Sequence, residues 1–570
     1  MDNKSMELYR LWCDNAQDES VKSALNALAG DEAEIYECFY KSLEFGTAGL
    51  RGILGAGTNR MNVYTVGQAT QGLADYVKSS FENPSVVIGY DSRIKSTEFA
   101  QETARVLAAN GVKVYLFSEL IPTPVVSFAV RELCCSSGVI ITASHNPSKY
   151  NGYKCYDPNG YQMTDEAANK VYGFINKTDI FADVKRVDFD AAVESGAIEY
   201  VSHQLVEKFM SHVLEQNINP VGDDCDLKVI YTPLNGAGNK PVREVLDRLG
   251  IKNIKVVPQQ ELPDGNFPTC PYPNPEVRQA FECAIEMAKD YAADILLATD
   301  PDCDRVGVAV KDGDDYRLIS GNEMGAILLS YILSQRSANG TLPKNPIAIK
   351  TIVSTILCNA ICGKYNCEMV ELLTGFKYIG EYITALEAKG EADRFVMGYE
   401  ESYGYLAGIH ARDKDAVVAS MLICEMAAYY KKQGKSLADV LSDLYTEFGI
   451  FLNHVDNFTF EGSQGMAKMA ELMDSMRNAA PDEIAGFKVT KRFDYKLSEC
   501  TDCATGETTV INLPKSNVLL YKLGDVAEVI FRPSGTEPKI KAYITAHAET
   551  MDEALRIKEA LRNYAKEKMA

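Results

Sequence analysis

Short apolar runs that end in polar loops alternate with helical patterns along most of this chain. Such runs recur three times in each of three consecutive blocks: 86–90, 112–117 and 139–142; 228–231, 254–257 and 294–298; 347–350, 368–372 and 394–397. Short β-rich runs that alternate with helices are typical of α/β units, in which polar loops lie at the carboxyl edge of a sheet. Because 570 residues exceed what a single core can organise, the alternation predicts three similar mixed α/β domains.

The last block of the chain follows a different pattern. Beyond about residue 450, the predicted strands lie at 517–521, 527–532 and 541–546. The closing helix has its apolar residues largely on one face: Ala554, Leu555, Ile557, Leu561 and Tyr564. Strands and helices that do not alternate strictly indicate an α+β domain. We therefore predict four domains, at residues 1–205, 206–322, 323–452 and 453–570.

The charge balance argues against two classes of partner. The chain has 58 basic and 79 acidic side chains, with a net charge of −21 and a pI near 4.9. This field repels nucleic acid and anionic membranes, so we expect neither as a partner. It also repels anionic substrates, so that any phosphate site must concentrate its lysines and arginines locally.

The sequence predicts a cytoplasmic location. The first residues lack the apolar core of a signal peptide, and the longest apolar runs, such as 416–424, are too short to span a bilayer. The 15 cysteines are scattered, as a reducing cytoplasm permits. Cys500 and Cys503 have CxxC spacing, but no second pair or nearby histidine completes a zinc site.

The segment 142–147, T-A-S-H-N-P, follows a short apolar run that predicts a buried strand. Ser144 would then be presented at the carboxyl edge of a sheet. His145 follows it directly and Lys154 follows ten residues later, so the loop offers a nucleophile with a proton acceptor. A plain Ser/Asn/Pro turn is the alternative, and the hexapeptide alone leaves both open.

The second motif is D-P-D-C-D-R at 300–305, which also follows an apolar strand. Asp300, Asp302 and Asp304 stand at alternate positions and can converge on one hard cation. Mg²⁺ suits a few carboxylates combined with a phosphate oxygen, whereas the glycine and terminal glutamate of a calcium EF-hand are missing. A solvated acidic turn is the alternative, but the preceding strand and the terminal Arg305 favour a metal site.

Weaker signals come from four further loops. At 532–541, R-P-S-G-T-E-P-K-I-K offers an arginine fork, two hydroxyls and a lysine for a phosphate, or else a surface turn. Glu400 and Ser402 can bracket vicinal hydroxyls of a sugar, or else form an acidic cap. Residues 374–377 form another polar loop after a strand. At 45–52, three glycines around Arg51 permit close backbone approach to an anion.

Together these motifs resemble the α-D-phosphohexomutase superfamily. The serine loop, the aspartate loop, G-x-E-E-S at 398–402 and R-P-S-G-T at 532–536 occur in the family's order and span nearly the whole chain. F-G-T-A-G-L-R at 45–51 and R-P-S-G-T-E-P-K look most like the phosphoglucomutase/phosphopentomutase branch. The resemblance implies four domains around a central cleft.

The resemblance also implies roles for individual residues. Ser144 would carry a phosphoryl group and, through it, bind Mg²⁺ held by Asp300, Asp302 and Asp304. Proton transfer would fall to Lys154 and then to Lys414. The transferring group would be stabilised by Arg305, Arg51 and His145. Sugar hydroxyls would be read by Glu400 and Ser402, and the sugar would be placed by Thr374, Gly375 and Lys377. The other phosphate would be bound by Arg532, Ser534, Gly535, Thr536 and Lys541.

The activity implied is interconversion of glucose 1-phosphate and glucose 6-phosphate, with glucose 1,6-bisphosphate as intermediate and activator. Mannose or pentose phosphates are alternative substrates, because selectivity depends on loop shape. Another possible enzyme class for this chain is a sugar-bisphosphate synthase or phosphatase. A further alternative is a catalytically inactive binding protein. The expected partners are small sugar phosphates, and the chain is expected to be a monomer or a homodimer.

Three departures from the family's pattern carry expectations of their own. Pro301 and Cys303 stand where many relatives have glycines, so no positive φ is expected in the aspartate loop. Tyr403 and its neighbours replace a histidine found in some relatives, which makes Lys414 more important as a base. Asn235 replaces a common histidine, and nothing in the sequence explains this change.

Overall fold

The computed structural model describes residues 3–46, 49–222, 224–460, 465–534 and 539–569. The chain divides into two compact units. The first comprises Met1–Gly321 and Phe376–Ser436, and the second comprises Asn322–Gly375 and Leu437–Ala570. Every strand predicted from the sequence overlaps an observed strand, and the closing helix is also confirmed. The domain boundaries given above stay predictions.

The first unit begins with helices that the sequence patterns did not bring out: α1 (Asn3–Asn15), α2 (Glu19–Ala27) and α3 (Glu32–Phe39). Asp18 and Asp31 accept backbone N–H bonds at the starts of α2 and α3, respectively. The buried Trp12 packs edge-on against Phe39 and Tyr64, which ties these helices to the first domain.

The first α/β domain is a mixed sheet with the strand order β1-β5-β4-β2-β3-β6. Its strands are β1 (Gly49–Ile53), β2 (Ser85–Tyr90), β3 (Lys113–Leu116), β4 (Ser137–Ile141), β5 (Tyr150–Tyr156) and β6 (Ile198–Tyr200). Its helices are α4 (Val63–Ser80), α5 (Ser96–Ala109), α6 (Thr123–Glu132), α7 (Asp165–Ile175) and α8 (Phe189–Glu194). β2, β3, β4 and β6 run parallel, whereas β5 returns antiparallel to β4. The buried faces of β2 and β4 form the centre of its core.

The second α/β domain follows α9 (His203–Leu214) and has the strand order β11-β10-β9-β7-β8. Its elements are β7 (Val229–Thr232), α10 (Asn239–Leu249), β8 (Ile254–Val256), α11 (Pro258–Glu261), α12 (Glu282–Tyr291), β9 (Ile295–Thr299), β10 (Val306–Asp312) and β11 (Asp315–Ile319). β9 is parallel to β7 and antiparallel to β10, so the loop after β9 is the turn of a hairpin.

The third α/β domain is shared between the two units. In the second unit, α13 (Gly321–Ala338) leads to β12 (Ile347–Thr351), α14 (Leu357–Lys364) and β13 (Glu368–Leu372), and β12 and β13 pair in parallel. In the first unit lie α15 (Phe376–Ala388), β14 (Phe395–Glu400), β15 (Gly404–Leu406) and α16 (Ala416–Lys431). β14 and β15 form an antiparallel hairpin.

The C-terminal domain is α+β, as predicted. After α17 (Leu437–Phe448), its sheet has the order β16-β24-β23-β22-β19-β20-β21, and a separate pair is formed by β17 and β18. The strands are β16 (Ile450–Thr459), β17 (Glu483–Ile484), β18 (Phe487–Lys488), β19 (Lys491–Asp494), β20 (Glu499–Asp502), β21 (Thr508–Val510), β22 (Leu519–Lys522), β23 (Ala527–Pro533) and β24 (Lys539–Ala548). The helices α18 (Gly465–Asn478) and α19 (Met551–Met569) contribute apolar residues to its core. Within the part of the chain described, no helix is both long and apolar enough to cross a membrane.

Candidate active site

The predicted nucleophile lies on a tight loop between two strands of the first sheet. β4 is buried along its whole length, and the chain turns after it and returns as β5, so that Ile140 pairs with Lys154. Ser144 lies in this turn with 3% of its surface exposed and with a left-handed backbone, φ +52°. Its Oγ donates a hydrogen bond to Asp300 Oδ2 at 2.8 Å and lies 3.2 Å from His145 Nδ1. The structure therefore brings the serine to the first predicted metal ligand.

The predicted metal ligands lie on the hairpin turn between β9 and β10. Asp300, Asp302 and Asp304 are buried, and carboxylate oxygens of the three lie within 4.8 Å of one another. The backbone N–H groups of Asp304 and Arg305 donate to Asp300 Oδ1 at 3.1 and 3.0 Å. Burial, with the charges of the other two carboxylates, raises the pKa of Asp300 well above its usual value. The triad therefore gathers three carboxyl groups in one buried site.

Two oxygens of this triad are buried without a hydrogen-bond partner among the described residues, Asp302 Oδ1 and Asp304 Oδ1. Asp304 Oδ1 lies 3.7 Å from Arg305 Nε, too far for a hydrogen bond. Buried carboxylate oxygens without hydrogen bonds are costly, and a cation placed between these two would satisfy both. A donor set made only of carboxylate oxygens suits a hard divalent ion. The three aspartates can therefore hold a metal ion.

The expectation that the aspartate loop needs no positive φ is wrong. Cys303 has φ +53°, and its backbone N–H donates to Asp300 O at 2.9 Å. This bond closes a tight turn over residues 300–303, and the left-handed backbone at its last residue, Cys303, redirects the chain towards β10. The Cys303 side chain is fully buried, so packing holds a non-glycine residue in this conformation.

Both predicted bases lie against the aspartates. Lys154 Nζ is 2.8 Å from Asp302 Oδ2 and 3.5 Å from Asp304 Oδ2. Lys414 Nζ is 3.2 Å from Asp304 Oδ2 and 3.1 Å from Asp413 Oδ1. Burial would lower the pKa of each lysine, but the carboxylates outweigh burial and raise it. Lys414 also acts to lower the pKa of Lys154, but the carboxylates that Lys154 contacts directly outweigh it.

The groups predicted to stabilise a transferring phosphoryl group surround Ser144. Burial, together with the charges of Arg305 and Arg51, lowers the pKa of His145 well below its usual value and so favours the neutral imidazole. Arg51 Nη1 donates to Asn146 Oδ1 at 3.2 Å. Arg305 Nη1 donates to Glu276 Oε1 at 2.9 Å. These cations form the local basic cluster that an acidic protein needs in order to attract an anion.

The predicted sugar-reading residues lie on the β14–β15 hairpin. Glu400 ends β14 and is buried, with Oε2 4.0 Å from Lys414 Nζ. Ser402 lies in the turn and is partly exposed. The next residue, Tyr403, has φ +65°, and its carbonyl accepts a hydrogen bond from the Val306 N–H at 3.1 Å. The turn is thereby fixed to the start of β10, beside the aspartate loop.

The predicted loop at residues 374–377 is divided between the two units, whose boundary falls after Gly375. Lys377, at the start of α15, is buried and pairs with Asp165 Oδ1 at 2.7 Å. Asp165 belongs to the first turn of α7, so Lys377 joins α15 to the first domain. Thr374 and Gly375 belong to the second unit, where both are partly exposed and Gly375 has φ +119°.

The predicted phosphate loop lies in the second unit at the turn between β23 and β24. Arg532 and Lys541 pair directly across these strands, and both are partly exposed. Arg532 Nη1 donates to Tyr543 Oη at 3.4 Å, and the Ser534 N–H donates to a backbone carbonyl at 2.7 Å. Gly535 and Thr536 lie outside the described residues.

The structure adds residues that the sequence patterns missed. Thr123 donates through Oγ1 to Asp302 Oδ2 and through its N–H to Asp302 O, both at 2.9 Å. Asp413 accepts from Tyr156 Oη at 2.7 Å while contacting Lys414. Asp413 directly precedes the predicted base Lys414, and this adjacency is the signal in the sequence that could have found it. Nothing in the sequence marks Thr123, which contacts the aspartates only through the fold.

Family models match consecutive parts of the chain. They describe the phosphoglucomutase/phosphomannomutase α/β/α domain I at residues 42–180, domain II at 207–313 and domain III at 320–448. Among solved structures, a phosphoglucomutase/phosphomannomutase family protein of Burkholderia thailandensis has a TM-score of 0.67 at 19% identity, covering 92% of this chain and 97% of that one. Parafusin, a phosphoglucomutase of Paramecium, has a TM-score of 0.67 at 16% identity, covering 93% and 95%. At these identities the likeness shows the fold alone.

Curated relatives are more similar in sequence. The phosphoglucomutase of Staphylococcus saprophyticus is 36% identical over 546 residues, which cover 95% of this chain and 97% of that protein. The phosphoglucomutase of Staphylococcus aureus strain USA300 is 37% identical over 545 residues, covering 95% and 96%. The resemblance that the serine, aspartate, sugar and phosphate loops indicated is thereby confirmed, and the chain belongs to the phosphoglucomutase/phosphomannomutase family.

Proposed function

We propose that this chain is a phosphoglucomutase, which interconverts glucose 1-phosphate and glucose 6-phosphate through a phosphoserine at Ser144. The observation that carries the proposal is the hydrogen bond from Ser144 Oγ to Asp300 Oδ2 at 2.8 Å, which sets the hydroxyl at a buried carboxylate triad. The Staphylococcus relatives are named phosphoglucomutases, and their sequences match this chain over almost their whole length. Glucose 1,6-bisphosphate is the intermediate in this scheme.

Mg²⁺ is the metal that the donor set favours. Asp300, Asp302 and Asp304 would hold it together with a phosphate oxygen on Ser144, and the buried Oδ1 atoms of Asp302 and Asp304, which accept no hydrogen bond from the described residues, support this assignment. When bound, the ion neutralises charge on the transferring phosphoryl group.

The reaction proceeds in two matched transfers. In the first, the bond from Ser144 Oγ to phosphorus breaks while a bond from the free hydroxyl of the sugar monophosphate to phosphorus forms. The hydroxyl proton passes to a base. Lys154 and Lys414 are the candidates, and either can accept a proton only once a cation at the aspartates offsets the carboxylate charge that raises its pKa. The bisphosphate then reverses its orientation and returns its other phosphoryl group to Ser144. Arg51, Arg305 and the neutral His145 hold the phosphoryl group in line, and the low exposure of Ser144 limits hydrolysis.

The remaining predicted residues have substrate roles in this scheme. Glu400 and Ser402 bind sugar hydroxyls. Lys377 would leave its ion pair with Asp165 to contact the sugar. Thr374 and Gly375, which lie close to Lys377 in the sequence, would help to place the sugar. The phosphate remote from Ser144 is assigned to a loop whose members are Arg532, Ser534, Gly535, Thr536 and Lys541. Sugar phosphates are therefore the proposed partners of the chain.

The test is a steady-state comparison of glucose 1-phosphate, mannose 1-phosphate and a pentose 1-phosphate, with Mg²⁺ and the matching bisphosphate present. We expect the highest kcat/KM for glucose 1-phosphate, by about tenfold or more. A clearly higher value for mannose or pentose phosphate would contradict the glucose assignment and favour a sister mutase. Steady release of inorganic phosphate, without isomerisation, would indicate a phosphatase.

A further inference from the structure

A buried arginine from another strand end holds the backbone of the serine loop. Arg93 follows β2, and its side chain is fully buried. Its guanidinium donates to Ser144 O at 2.5 Å, to Pro147 O at 3.0 Å and to Tyr150 O at 3.1 Å, and it also donates to Asn146 O. One side chain therefore binds carbonyls along the whole turn from β4 to β5.

Asp91 connects this arginine to the residue before the turn. Its Oδ2 lies 3.4 Å from Arg93 Nε and accepts a hydrogen bond from Thr142 Oγ1 at 2.6 Å. Its Oδ1 accepts from Ser96 Oγ at 2.8 Å, which fixes the carboxylate from the other side. Thr142 Oγ1 in turn accepts the N–H of Ser144 at 2.8 Å. The chain of bonds thus begins at Arg93 and ends on the backbone of the nucleophile.

The serine needs such support because its backbone conformation is unfavourable. Ser144 has φ +52°, a region that residues with a Cβ occupy only when their surroundings enforce it. In this conformation its Oγ points at Asp300. Asp91 and Thr142 are nearly fully buried, so water cannot substitute for their bonds. The geometry of the hydroxyl therefore depends on groups whose hydrogen bonds, among the described residues, go to the serine loop and not to Asp300, Asp302 or Asp304.

We propose that Asp91, Arg93 and Thr142 form a positioning unit, the serine-loop clamp, that sets the rate of phosphoryl transfer at Ser144. The clamp rests on the proposed function, in which Ser144 carries the phosphoryl group. Positioning of reacting atoms contributes directly to kcat, because small displacements are costly in rate. The proposed function assigns the clamp no contact with the sugar phosphate, so KM should be nearly independent of it.

The test compares Thr142→Val with wild-type enzyme under saturating glucose 1,6-bisphosphate and Mg²⁺. The substitution keeps the shape of the side chain but removes both hydrogen bonds of the hydroxyl. We expect kcat to fall about tenfold or more, with KM for glucose 1-phosphate within about threefold of wild type. Thr142→Ser, which restores the hydroxyl, should recover most of the lost rate.

The matched control is Thr103→Val. Thr103 is as buried as Thr142, and its Oγ1 donates to Phe99 O at 2.8 Å within α5, so the control also removes a buried threonine hydroxyl. Its kcat should match wild type. Melting curves of all variants identify the folded fraction, to which kcat is normalised.

Arg93→Lys provides a second, independent variant, because lysine keeps the charge beside Asp91 but cannot reach all the carbonyls of the turn. It should reproduce the fall in kcat. If Thr142→Val does not fold, Arg93→Lys alone tests whether the clamp sets the rate. Wild-type kcat in folded Thr142→Val or, failing that, in Arg93→Lys would overturn the clamp. Absence of mutase turnover in the wild-type enzyme would instead contradict the proposed function, and the role of the clamp with it.

Discussion

At the residue scale, Gly404 leaves the space through which the Lys414 side chain passes. A Cβ at position 404 would lie 2.1 Å from Cδ and 2.6 Å from Cγ of Lys414. Gly404→Ala should therefore displace the proposed base and lower kcat about tenfold or more, with a loss of about 1–3 kcal/mol in unfolding free energy. Steady-state kinetics and urea unfolding measure the two effects.

Gly173→Ala is the control for that substitution. Gly173 lies in α7, and a Cβ there would meet nothing within 4 Å. Alanine should raise the unfolding free energy by about 0.5–1 kcal/mol and leave kcat unchanged. Unaltered kcat in Gly404→Ala would show that Lys414 does not need its present position.

The site residues that could be predicted from the sequence are those that stand close together in the chain. Ser144 and the aspartates could be predicted because each follows a recognisable buried strand. Thr123 could not, since its contact with Asp302 spans 179 residues and only the folded sheet creates it. The positive φ of Cys303 could not be predicted either, because it follows from the hairpin geometry and not from the side chain.

At the element scale, the β12–β13 pair contains an ion pair between a buried lysine and a partly exposed glutamate, and this pair has a measurable pH dependence. Lys350 Nζ lies 3.0 Å from Glu371 Oε1, and Asn359 donates to the same oxygen at 2.8 Å. The Lys350 charge and this hydrogen bond lower the pKa of Glu371 to about 2. Because the unfolded value is about 4.3, the stabilisation is fully present above that pH and is lost as pH falls towards 2.

Glu371→Gln should accordingly reduce the loss of unfolding free energy between about pH 6 and pH 3, as measured by urea unfolding at each pH. Glu549→Gln, at an exposed position of the same unit, is the control and should keep the wild-type slope. A slope for Glu371→Gln equal to that of the control would mean that the ion pair does not contribute to acid stability.

The elements themselves could be predicted where strands are apolar and buried. β2, β4 and β9 are buried almost throughout, and their runs were found within two residues of the observed bounds. The strands that return after functional loops were missed, notably β5 and β15. Their sequences mix polar catalytic side chains with aromatic residues, so neither an apolar run nor a clean alternation marks them.

At the scale of the whole molecule, the central claim is that a protein with net charge −21 concentrates cations around one phosphorylated serine. Four basic residues lie in the first unit near the serine and aspartate loops: Arg51, Arg305, Lys154 and Lys414. Such a local concentration of cations is what a phosphate site in an acidic protein needs. The fold and the aspartate site could be predicted from sequence. The backbone support of the serine could not, because it is assembled from two separate strand ends.

Intact mass analysis with phosphopeptide mapping tests this claim most directly. The enzyme is incubated with glucose 1,6-bisphosphate and Mg²⁺, freed of ligand and compared with Ser144→Ala treated in the same way. We predict a single phosphoryl group on the peptide that contains Ser144, together with its absence and the loss of mutase turnover in the variant. Phosphate on another residue, or turnover that persists in Ser144→Ala, would contradict the account.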